Sequence, residues 1–271
     1  YPEEVVMQEA ENSRVYTYEM LTPIYAGAST TQRDAMIAQL ESMTATGVAA
    51  VNATEEDLAE WGLDEPSAVI DFEINDEAHV ISLGNLVKGE YSLMIDDNQT
   101  IYLIDEESVD TWANRTVYDL RECYVYLANI KQVMTLTVED ASGTDTYNIT
   151  RFLNEEKTTE TAPYYDITIE KDGKDVDYDT AYQPFYYALL SVCVMNEDFA
   201  EPKGDAVLTI NYKYFESDDK DVVEFYAHPT NDRRCVVLLN GQNVGVVRSS
   251  DVEDLIEKND IIGDFGALQE V

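Results

Sequence analysis

An internal repeat constrains the fold of this chain more than any other sequence feature. The segment Ala68–Ile74 alternates apolar and polar residues, and the segment Leu208–Tyr214, about 140 residues later, alternates in the same way. Such alternation is typical of half-buried strands in an antiparallel sheet. A spacing this long exceeds the period of solenoid repeats and indicates the duplication of a domain. We therefore expect an α+β fold made of two tandem duplicated units.

Each of the two strands is followed by a hairpin. The second hairpin turns at Asn240–Gly241, and an Asn-Gly pair between apolar runs favours a type I′ turn, because both central residues need a positive φ. The first hairpin turns through Asp96–Gln99. Aligning Gln99 with Gln242 brings three apolar pairs into one register, namely Ile101 with Val244, Ile104 with Val247, and Val109 with Val252.

Helices are predicted before each strand and after each hairpin. The amphipathic helices cover residues 31–44, with Thr31 as the N-cap, and 180–194, with Thr180 as the N-cap. The short helices cover residues 106–113 and 250–258. Each unit is thus expected to be a mostly antiparallel, curved sheet with one amphipathic helix and short capping helices.

We place the first unit at residues 1–120 and the second at residues 121–271. The second unit has further strand signals before its amphipathic helix, and Val15–Tyr18 is the matching sheet start in the first unit. The N-terminal strands of the first unit are therefore expected to be incomplete.

The acidity of the chain argues against several classes of partner. There are 55 Asp and Glu residues against 17 Lys and Arg residues, which gives a formal net charge of −38. Such a surface repels nucleic-acid phosphates and anionic lipids, so neither is an expected partner, although a folded acidic mimic of nucleic acid fits the charge. Disorder is not expected, because 45% of the residues are hydrophobic and 10% are aromatic. Self-repulsion predicts a monomer.

The residues that usually carry catalysis or bind transition metals are sparse. Cys123, Cys193 and Cys235 allow one disulfide at most, and they form no CxxC pair. The two histidines, His79 and His228, lie far apart in the sequence, so no zinc site is expected. The sequence has no nucleophile elbow and no phosphate-binding glycine loop, and paired carboxylates arise by chance among so many acids. We expect a protein that is not an enzyme and has no cofactor.

Two acidic turns are the candidate cation sites. They lie at residues 172–179 and 216–221 and place several carboxylates close together in the sequence. Hard oxygen ligands of this kind suit calcium, but neither turn has the order of an EF-hand loop. We expect weak calcium binding at the surface at most.

Tyrosine is unusually common, with 19 copies in the chain. Tyrosine is enriched at interfaces because its rigid apolar ring ends in a hydrogen-bonding hydroxyl. Six of them are crowded within 25 residues and form a candidate interaction surface: Tyr164, Tyr165, Tyr178, Tyr182, Tyr186 and Tyr187. The alternative, which stays open, is that these rings pack at the edge of the core.

The segment from Leu58 to Pro66 reads Leu-Ala-Glu-Trp-Gly-Leu-Asp-Glu-Pro. A helix that starts at Thr54, with Asp57 at capping-box spacing, can end at Gly62 in the left-handed conformation, and Pro66 then prevents the helix from continuing. We interpret Trp61, Gly62, Leu63 and Pro66 as a structural motif.

This segment resembles the "dL-x-x-yGL-x-x-P" pattern of the bacterial domain-of-unknown-function 4340 family. The resemblance continues through Leu83–Gly84, Tyr91 and Ile101–Ile104, over about residues 31–112, and a weaker second copy extends to about residue 258. The sequence departs from the pattern in having Trp61 where tyrosine is usual and Asn75–Glu77 where a glycine turn is expected.

The resemblance implies a location outside the cytoplasmic membrane. Members of the family are typically lipoproteins or proteins with one N-terminal anchor, and some are similar to accessory parts of gliding-type ABC transport systems. No catalytic activity is assigned to the family, so no active residue is carried over. The chain begins with Tyr1 and not with methionine. We therefore expect an extracytoplasmic, cell-surface or membrane-anchored protein whose signal or anchor has been removed.

Two functions fit these observations. The first is a non-enzymatic binding or scaffold module that contacts an unidentified protein partner, such as a component of a membrane transport system. The second is an extracytoplasmic hydrolase or a carbohydrate- or peptide-binding protein. It would use acidic residues and the tyrosine cluster in the groove between the two units.

Overall fold

The fold was analysed in a computed structural model, which describes residues 4–10, 15–74, 76–160, 163–195 and 198–268. The chain is mixed α+β with mostly antiparallel sheets, as predicted. It divides into two compact units. Unit 1 is built on Ser29–Arg121, and unit 2 on Val6–Ala28 together with the residues from Glu122 onward. The sequence analysis had placed residues 6–28 in the first unit.

A small three-stranded sheet belongs to unit 2. Its strands, in spatial order, are β1 (Val6–Glu9), β2 (Tyr18–Thr22) and β3 (Ala26–Gly27). The hydroxyl of Tyr16 donates a 2.7 Å hydrogen bond to the carbonyl of Val125, which ties this sheet to the rest of unit 2. The prediction that Val15–Tyr18 starts the sheet of the first unit is therefore wrong.

Unit 1 contains a five-stranded antiparallel sheet. In chain order its elements are α1 (Thr30–Ser42), β4 (Gly47–Val51), α2 (Glu55–Trp61), β5 (Ala68–Ile74), β6 (Glu77–Val87), β7 (Glu90–Ile95), β8 (Thr100–Asp105), a 3-10 helix (Glu106–Ser108) and α3 (Val117–Leu120). The strand order is β4-β8-β7-β6-β5. Its core contains the buried residues Ile81, Leu83, Leu93, Ile104 and Val109, and α1 packs against them through Met36, Leu40 and Met43.

Two predicted helices of unit 1 differ from the observed ones. Helix α1 begins one residue earlier than expected, because Ser29 is its N-cap and accepts a hydrogen bond from the Gln32 backbone N–H. The helix expected over residues 106–113 is only the 3-10 turn. Val109 has φ −136° and ψ 6°, outside the helical region, and its side chain is fully buried in the core of the sheet. Packing of Val109 therefore overrides the local helical preference.

Unit 2 contains an eight-stranded antiparallel sheet. Its elements are β9 (Val133–Asp140), β10 (Gly143–Leu153), β11 (Tyr165–Lys171), β12 (Lys174–Val176), a π-helix (Tyr178–Tyr182), α4 (Gln183–Leu190), β13 (Lys203–Tyr214), β14 (Lys220–Ala227), β15 (Arg234–Leu239), β16 (Gln242–Arg248) and α5 (Ser249–Leu268). The strand order is β12-β11-β10-β9-β13-β14-β15-β16. None of the helices in the described part of the chain has the length and apolar character to cross a membrane.

The turn prediction in unit 2 is confirmed, and the helix predictions need correction. Asn240 and Gly241 have φ values of 52° and 79°, as a type I′ turn requires. The helical segment expected over residues 180–194 starts earlier, because Asp177 caps it by accepting a 2.8 Å hydrogen bond from the Thr180 N–H, and it ends at Leu190. The last helix is longer than residues 250–258.

The two units share a four-stranded meander and differ in the strands beside it. In unit 1, β5 to β8 follow one another across the sheet, as β13 to β16 do in unit 2. Unit 1 adds β4 beside the last strand of its meander, whereas unit 2 adds β9 to β12 beside the first. The residues that the sequence alignment paired are buried in both units: Ile101 and Val244, Ile104 and Val247, and Val109 and Val252.

Candidate functional site

The predicted motif of unit 1 forms a capped helix with a left-handed end. Thr54 and Asp57 form a capping box, in which the Asp57 N–H donates to Thr54 Oγ1 and the Thr54 N–H donates to Asp57 Oδ2 at 2.8 Å. The Thr54 hydroxyl also donates to Asp57 Oδ2 at 2.7 Å, and the hydrogen bonds from the Thr54 N–H and hydroxyl hold the pKa of Asp57 below its usual value. Gly62 ends the helix at φ 69°, as predicted.

The motif residues pack α2 onto the sheet. Leu63 is buried among Met94 and Ile101, and the carbonyl of Trp61 accepts a 2.7 Å hydrogen bond from the hydroxyl of the buried Ser92. Pro66 is exposed and lies in the turn before β5. These contacts join the end of α2 to the sheet, and the interpretation of the four residues as a structural motif stays a prediction.

The six clustered tyrosines do not form one surface. Tyr182 and Tyr186 lie in the core of unit 2, where their rings stack at 5.7 Å, and the hydroxyl of Tyr186 donates to the carbonyl of Ala128 at 2.8 Å. For these two members of the candidate interaction surface, the alternative of packing in the core holds. They face inward because they lie on the side of the helical segment that packs into the interior of unit 2.

The other four tyrosines lie on three elements. Tyr187 is on the exposed side of α4, with 57% of the residue accessible, and Tyr178 is half-buried in the π-helix. Tyr164 and Tyr165 lie together at the loop end of the β10–β11 hairpin. Of the six, the structure therefore brings only this adjacent pair together on an exposed surface among the described residues.

The loop end of the β10–β11 hairpin carries further apolar and basic side chains. Leu153 pairs with Tyr165 across the two strands, and Phe152 precedes it. Phe152 is 55% exposed, Leu153 is 52% exposed and Tyr164 is 37% exposed. We define the hairpin surface by the following residues: Lys131, Arg151, Phe152, Leu153, Lys157, Tyr164 and Tyr165.

Cations lie over the aromatic rings of the hairpin surface. The Nζ atom of Lys131 is 3.6 Å from the ring centre of Tyr164, and that of Lys157 is 4.9 Å from the same centre. The guanidinium carbon of Arg151 is 4.5 Å from the ring centre of Tyr165 and 4.4 Å from that of Phe215. Each such contact stabilises the pair by about 0.5–1 kcal/mol when it is exposed. The rings and cations therefore hold one another in place.

The sequence analysis found the two tyrosines of this surface but not its other members. The signal that could have found them is local. Arg-Phe-Leu at residues 151–153 ends an alternating strand with two consecutive apolar residues, one of which must face solvent. The contribution of Lys131 has no local signal, because this residue reaches Tyr164 from a different part of the chain.

A cavity in unit 2 is a second candidate site. Its volume is about 690 Å³, within the range of small-molecule pockets, and it lies between the β14–β15 loop and the start of α5. Its lining includes Lys203, His228, Arg234, Cys235 and Glu253. A polar cavity of this size could admit a small ligand.

Two side chains of this cavity, those of Arg234 and His228, lie beside Asp198. Asp198 Oδ2 lies 3.0 Å from Nη1 of Arg234 and 3.3 Å from Nε2 of His228. The contact with His228 does not have the geometry of a hydrogen bond. The Nδ1 atom of His228 accepts from the N–H groups of Thr230 and Asn231, so the neutral ring carries its proton on Nε2. Burial raises the pKa of the Cys235 thiol to about 11, so this thiol is protonated at neutral pH and is a poor nucleophile.

One half-buried acid of unit 2, Asp221, is held by several hydrogen-bond donors. The hydroxyls of Tyr126 and Tyr214 both donate to Asp221 Oδ2, and Asn240 donates to its other oxygen at 2.8 Å. Burial raises the pKa of Tyr126, and the nearby Tyr214 and Asp221 raise it further. The hydroxyl of Tyr126 therefore keeps the proton that it donates. This network is structural, because it joins β13, β14 and the Asn240 turn.

The acidic turns show the same local use of carboxylates. Asp177 caps the helical segment, Asp172 accepts a hydrogen bond from the Thr146 N–H, and Asp221 belongs to the tyrosine network. Within residues 4–10, 15–74, 76–160, 163–195 and 198–268, no group of three or more His, Cys, Asp or Glu side chains could hold a metal ion. Weak binding of calcium at the surface stays a prediction.

Comparison with known proteins identifies the family. The family model described as Domain of unknown function (DUF4340) matches residues 26–191, which is more than half of the chain. The chain belongs to the DUF4340 family. The DUF4340 match is wider than the resemblance over residues 31–112, and it includes the hairpin surface. No curated protein and no solved structure matches the chain.

Proposed function

We propose that this DUF4340 protein is an extracytoplasmic, non-enzymatic binding module, and that its hairpin surface binds a protein segment rich in acidic and apolar residues. One observation carries the proposal. Phe152 and Leu153 are exposed and, as consecutive strand residues, point to opposite faces of the hairpin end that also carries Lys131, Arg151 and Lys157, in a chain whose net charge is −38.

Charge complementarity favours an acidic partner at this surface. Most of the protein repels carboxylates, but the screening length at physiological ionic strength is about 8 Å, so local groups decide the contact. Lys131 retains hydrogen-bonding capacity, because its contact with Tyr164 is to the ring face. Lys157 also pairs with Asp166 Oδ1 at 3.4 Å, and Arg151 pairs with Glu216 at 2.5 Å. A partner carboxylate would therefore compete with these two acids. Carboxylates of a partner could bind the lysine ammonium groups while its apolar residues cover Phe152 and Leu153.

A protein partner fits this surface better than a nucleic acid. Aromatic rings interleaved with cations also bind single-stranded nucleic acids. Three cations would then have to overcome the repulsion between a polyphosphate and a protein of net charge −38. A short acidic peptide carries fewer charges and adds the burial of two apolar residues.

Peptide binding to the purified chain tests this proposal. The probes are a synthetic peptide that alternates Glu with Leu and Phe, a matched peptide with Lys in place of Glu, and an oligodeoxythymidine. The variant Phe152→Asp removes an anchor and adds a repelling charge, and Val69→Asp is the control, since Val69 is 50% exposed in unit 1. We expect Phe152→Asp to weaken binding of the acidic peptide about tenfold or more, and Val69→Asp to leave it unchanged.

Three results would contradict the proposal. They are equal binding of the acidic and basic peptides, equal effects of the two substitutions, and preferential binding of the oligonucleotide. The last result would instead indicate a nucleic-acid-binding protein.

The location and the transport context of the proposal derive from the family resemblance. We propose that the protein acts at the cell surface or on a membrane anchor, as an accessory part of a transport system. Fractionation of cells that express the full-length gene product tests this, with the protein expected in the envelope. Recovery of the full-length protein in the cytoplasmic fraction would contradict the location without affecting the peptide experiment.

The alternative function is that of a hydrolase or a carbohydrate- or peptide-binding protein. The cavity of about 690 Å³ favours it. The burial of Tyr182 and Tyr186 and the pairing of Asp198 with Arg234 weaken it, because these groups are not available to a ligand. A saccharide that raises the melting temperature of the native chain, but not that of Glu253→Gln, would favour this alternative.

We also propose that the two meanders descend from a duplicated segment. The common strand order and the three pairs of buried residues support this origin. The flanking strands were then added separately to each unit. An experimental structure in which β5–β8 superpose on β13–β16 with Ile101 on Val244 would agree with it, whereas a shifted register would contradict it.

A further inference from the structure

Two cysteines that are 70 positions apart in the sequence meet in unit 2. The Sγ atoms of Cys123 and Cys193 lie 3.1 Å apart. A disulfide bond has an S–S distance of about 2.05 Å, so a movement of about 1 Å would be enough to form it. The third cysteine, Cys235, lines the cavity beside α5 and is buried.

The backbone around the pair holds the two segments in a fixed register. Tyr124 and Cys193 form an antiparallel bridge. The Val194 N–H donates to the carbonyl of Cys123 at 2.8 Å, and the Val125 N–H donates to the carbonyl of Val192 at 2.9 Å. The side chains of these three valines are buried, so the two segments are held together by packing as well as by hydrogen bonds.

We infer that Cys123 and Cys193 are a disulfide-forming pair, which a thiol–disulfide oxidant links covalently. In this reaction the S–S bond of the oxidant breaks and a new bond forms between the two Sγ atoms. The two thiols lose two electrons and two protons, and a glutathione-type disulfide accepts them and leaves as two thiols. Both cysteines are half-buried, so a small oxidant can reach them.

The surroundings of the pair set the conditions for this reaction. Burial, followed by the hydrogen bond with Cys123 and the charges of Glu122 and Asp251, raises the pKa of Cys193 to about 12. Its thiol therefore keeps its proton at neutral pH, and uncatalysed exchange is expected to be slow and to accelerate as the pH rises.

The link would close a loop that contains β9 to β12 and α4. Closing a long loop restricts the unfolded chain and raises stability, so oxidation is expected to protect this half of the eight-stranded sheet. In the cell the bond would persist only in an oxidising compartment, as the proposed extracytoplasmic location supplies. Its formation from purified protein does not depend on that location.

Thiol counting on the native, full-length chain tests the inference. The protein is incubated with oxidised glutathione at mildly alkaline pH and then unfolded, its remaining thiols are tagged with a maleimide, and its intact mass is measured. The chain has three cysteines, so three tags are expected after reduction. After oxidation we expect one tag, on Cys235, and a cross-linked peptide that joins Cys123 to Cys193. The intact mass should equal that of the untagged reduced chain plus one tag, less two hydrogen atoms.

Two variants serve as controls. Cys193→Ser should form no internal link, and its melting temperature should not respond to the oxidant. Cys235→Ser should form the link and should melt at a higher temperature when oxidised than when reduced, as the native chain should. Three free thiols or glutathione adducts in the oxidised native chain, or a link that involves Cys235 or a second chain, would overturn the inference. Because the native chain itself is measured, poor folding of either variant would not obscure this result.

Discussion

The substitution Gly84→Ala should destabilise unit 1 by displacing α2 from the sheet. A Cβ atom added at Gly84 would come within 2.1 Å of the carbonyl oxygen of Trp61, 2.4 Å of the hydroxyl of Ser92 and 3.0 Å of the carbonyl carbon of Gly62. Two of these three atoms belong to the backbone at the end of α2. The helix end therefore has to move as a whole, and no side-chain rotation relieves the contact.

The magnitude follows from two costs. Overpacking of this kind costs about 1–3 kcal/mol. Moving Trp61 also breaks the 2.7 Å hydrogen bond from Ser92, whose hydroxyl is fully buried, and an unpaired buried hydroxyl costs about 1–3 kcal/mol. We expect the free energy of unfolding of unit 1 to fall by about 2–5 kcal/mol, which lowers the urea midpoint by about 1–2 M.

Tryptophan fluorescence is the assay, because it reports on unit 1 alone. The chain has two tryptophans, Trp61 and Trp112, and both lie in this unit. The matched control is Gly47→Ala in β4 of the same sheet, where the added Cβ meets one side-chain atom of Leu103 at the ordinary distance of 3.7 Å. Gly47→Ala should leave the midpoint unchanged or raise it slightly. Equal midpoints for Gly84→Ala, Gly47→Ala and the native chain would refute the close packing of Gly84 against α2.

Three further predictions concern charge and hydrogen bonding. Lys171 is buried and lies 2.9 Å from Asp145, so Lys171→Met should cost about 1–3 kcal/mol of the unfolding free energy of unit 2, measured by circular dichroism, and an unchanged stability would contradict this pairing. Because the hydrogen bonds from Thr54 lower the pKa of Asp57 in the folded state, unit 1 should lose this stabilisation as the pH falls below about 4. Thr54→Ala should reduce that acid sensitivity in urea titrations followed by tryptophan fluorescence, and an unaltered pH profile would argue against the capping box. Finally, the net charge of −38 should make the melting temperature rise from low to moderate sodium chloride concentration, and a steady fall would show that self-repulsion is not the dominant electrostatic effect.

The features that the sequence predicted correctly are those decided by neighbouring residues. The Thr54–Asp57 capping box, the left-handed end at Gly62 and the turn at Asn240–Gly241 each depend on the chemistry of a few consecutive residues. The alternating strands and their hairpins were found for the same reason, since the side-chain period of a strand is visible in its own residues.

The candidate surface shows where such reasoning ends. Tyrosines 164 and 165 were found because they belong to a dense local cluster. The same density suggested Tyr182 and Tyr186, which are buried, because a count of tyrosines takes no account of the helical period that puts these two on the apolar side of the predicted amphipathic helix. Lys131 was missed, since its contact with Tyr164 depends on how distant segments are brought together.

By itself, the sequence determined the α+β class, the caps, the turns, the strand alternation and the charge, because each of these is set within one turn or one strand, or by composition. Tertiary structure alone decided that Val6–Ala28 packs in unit 2, that β9 pairs with β13, and that Cys123 lies beside Cys193. These outcomes depend on contacts between residues far apart in the chain. Their free energies come from burial and pairing in the assembled sheet, and no short segment contains that information.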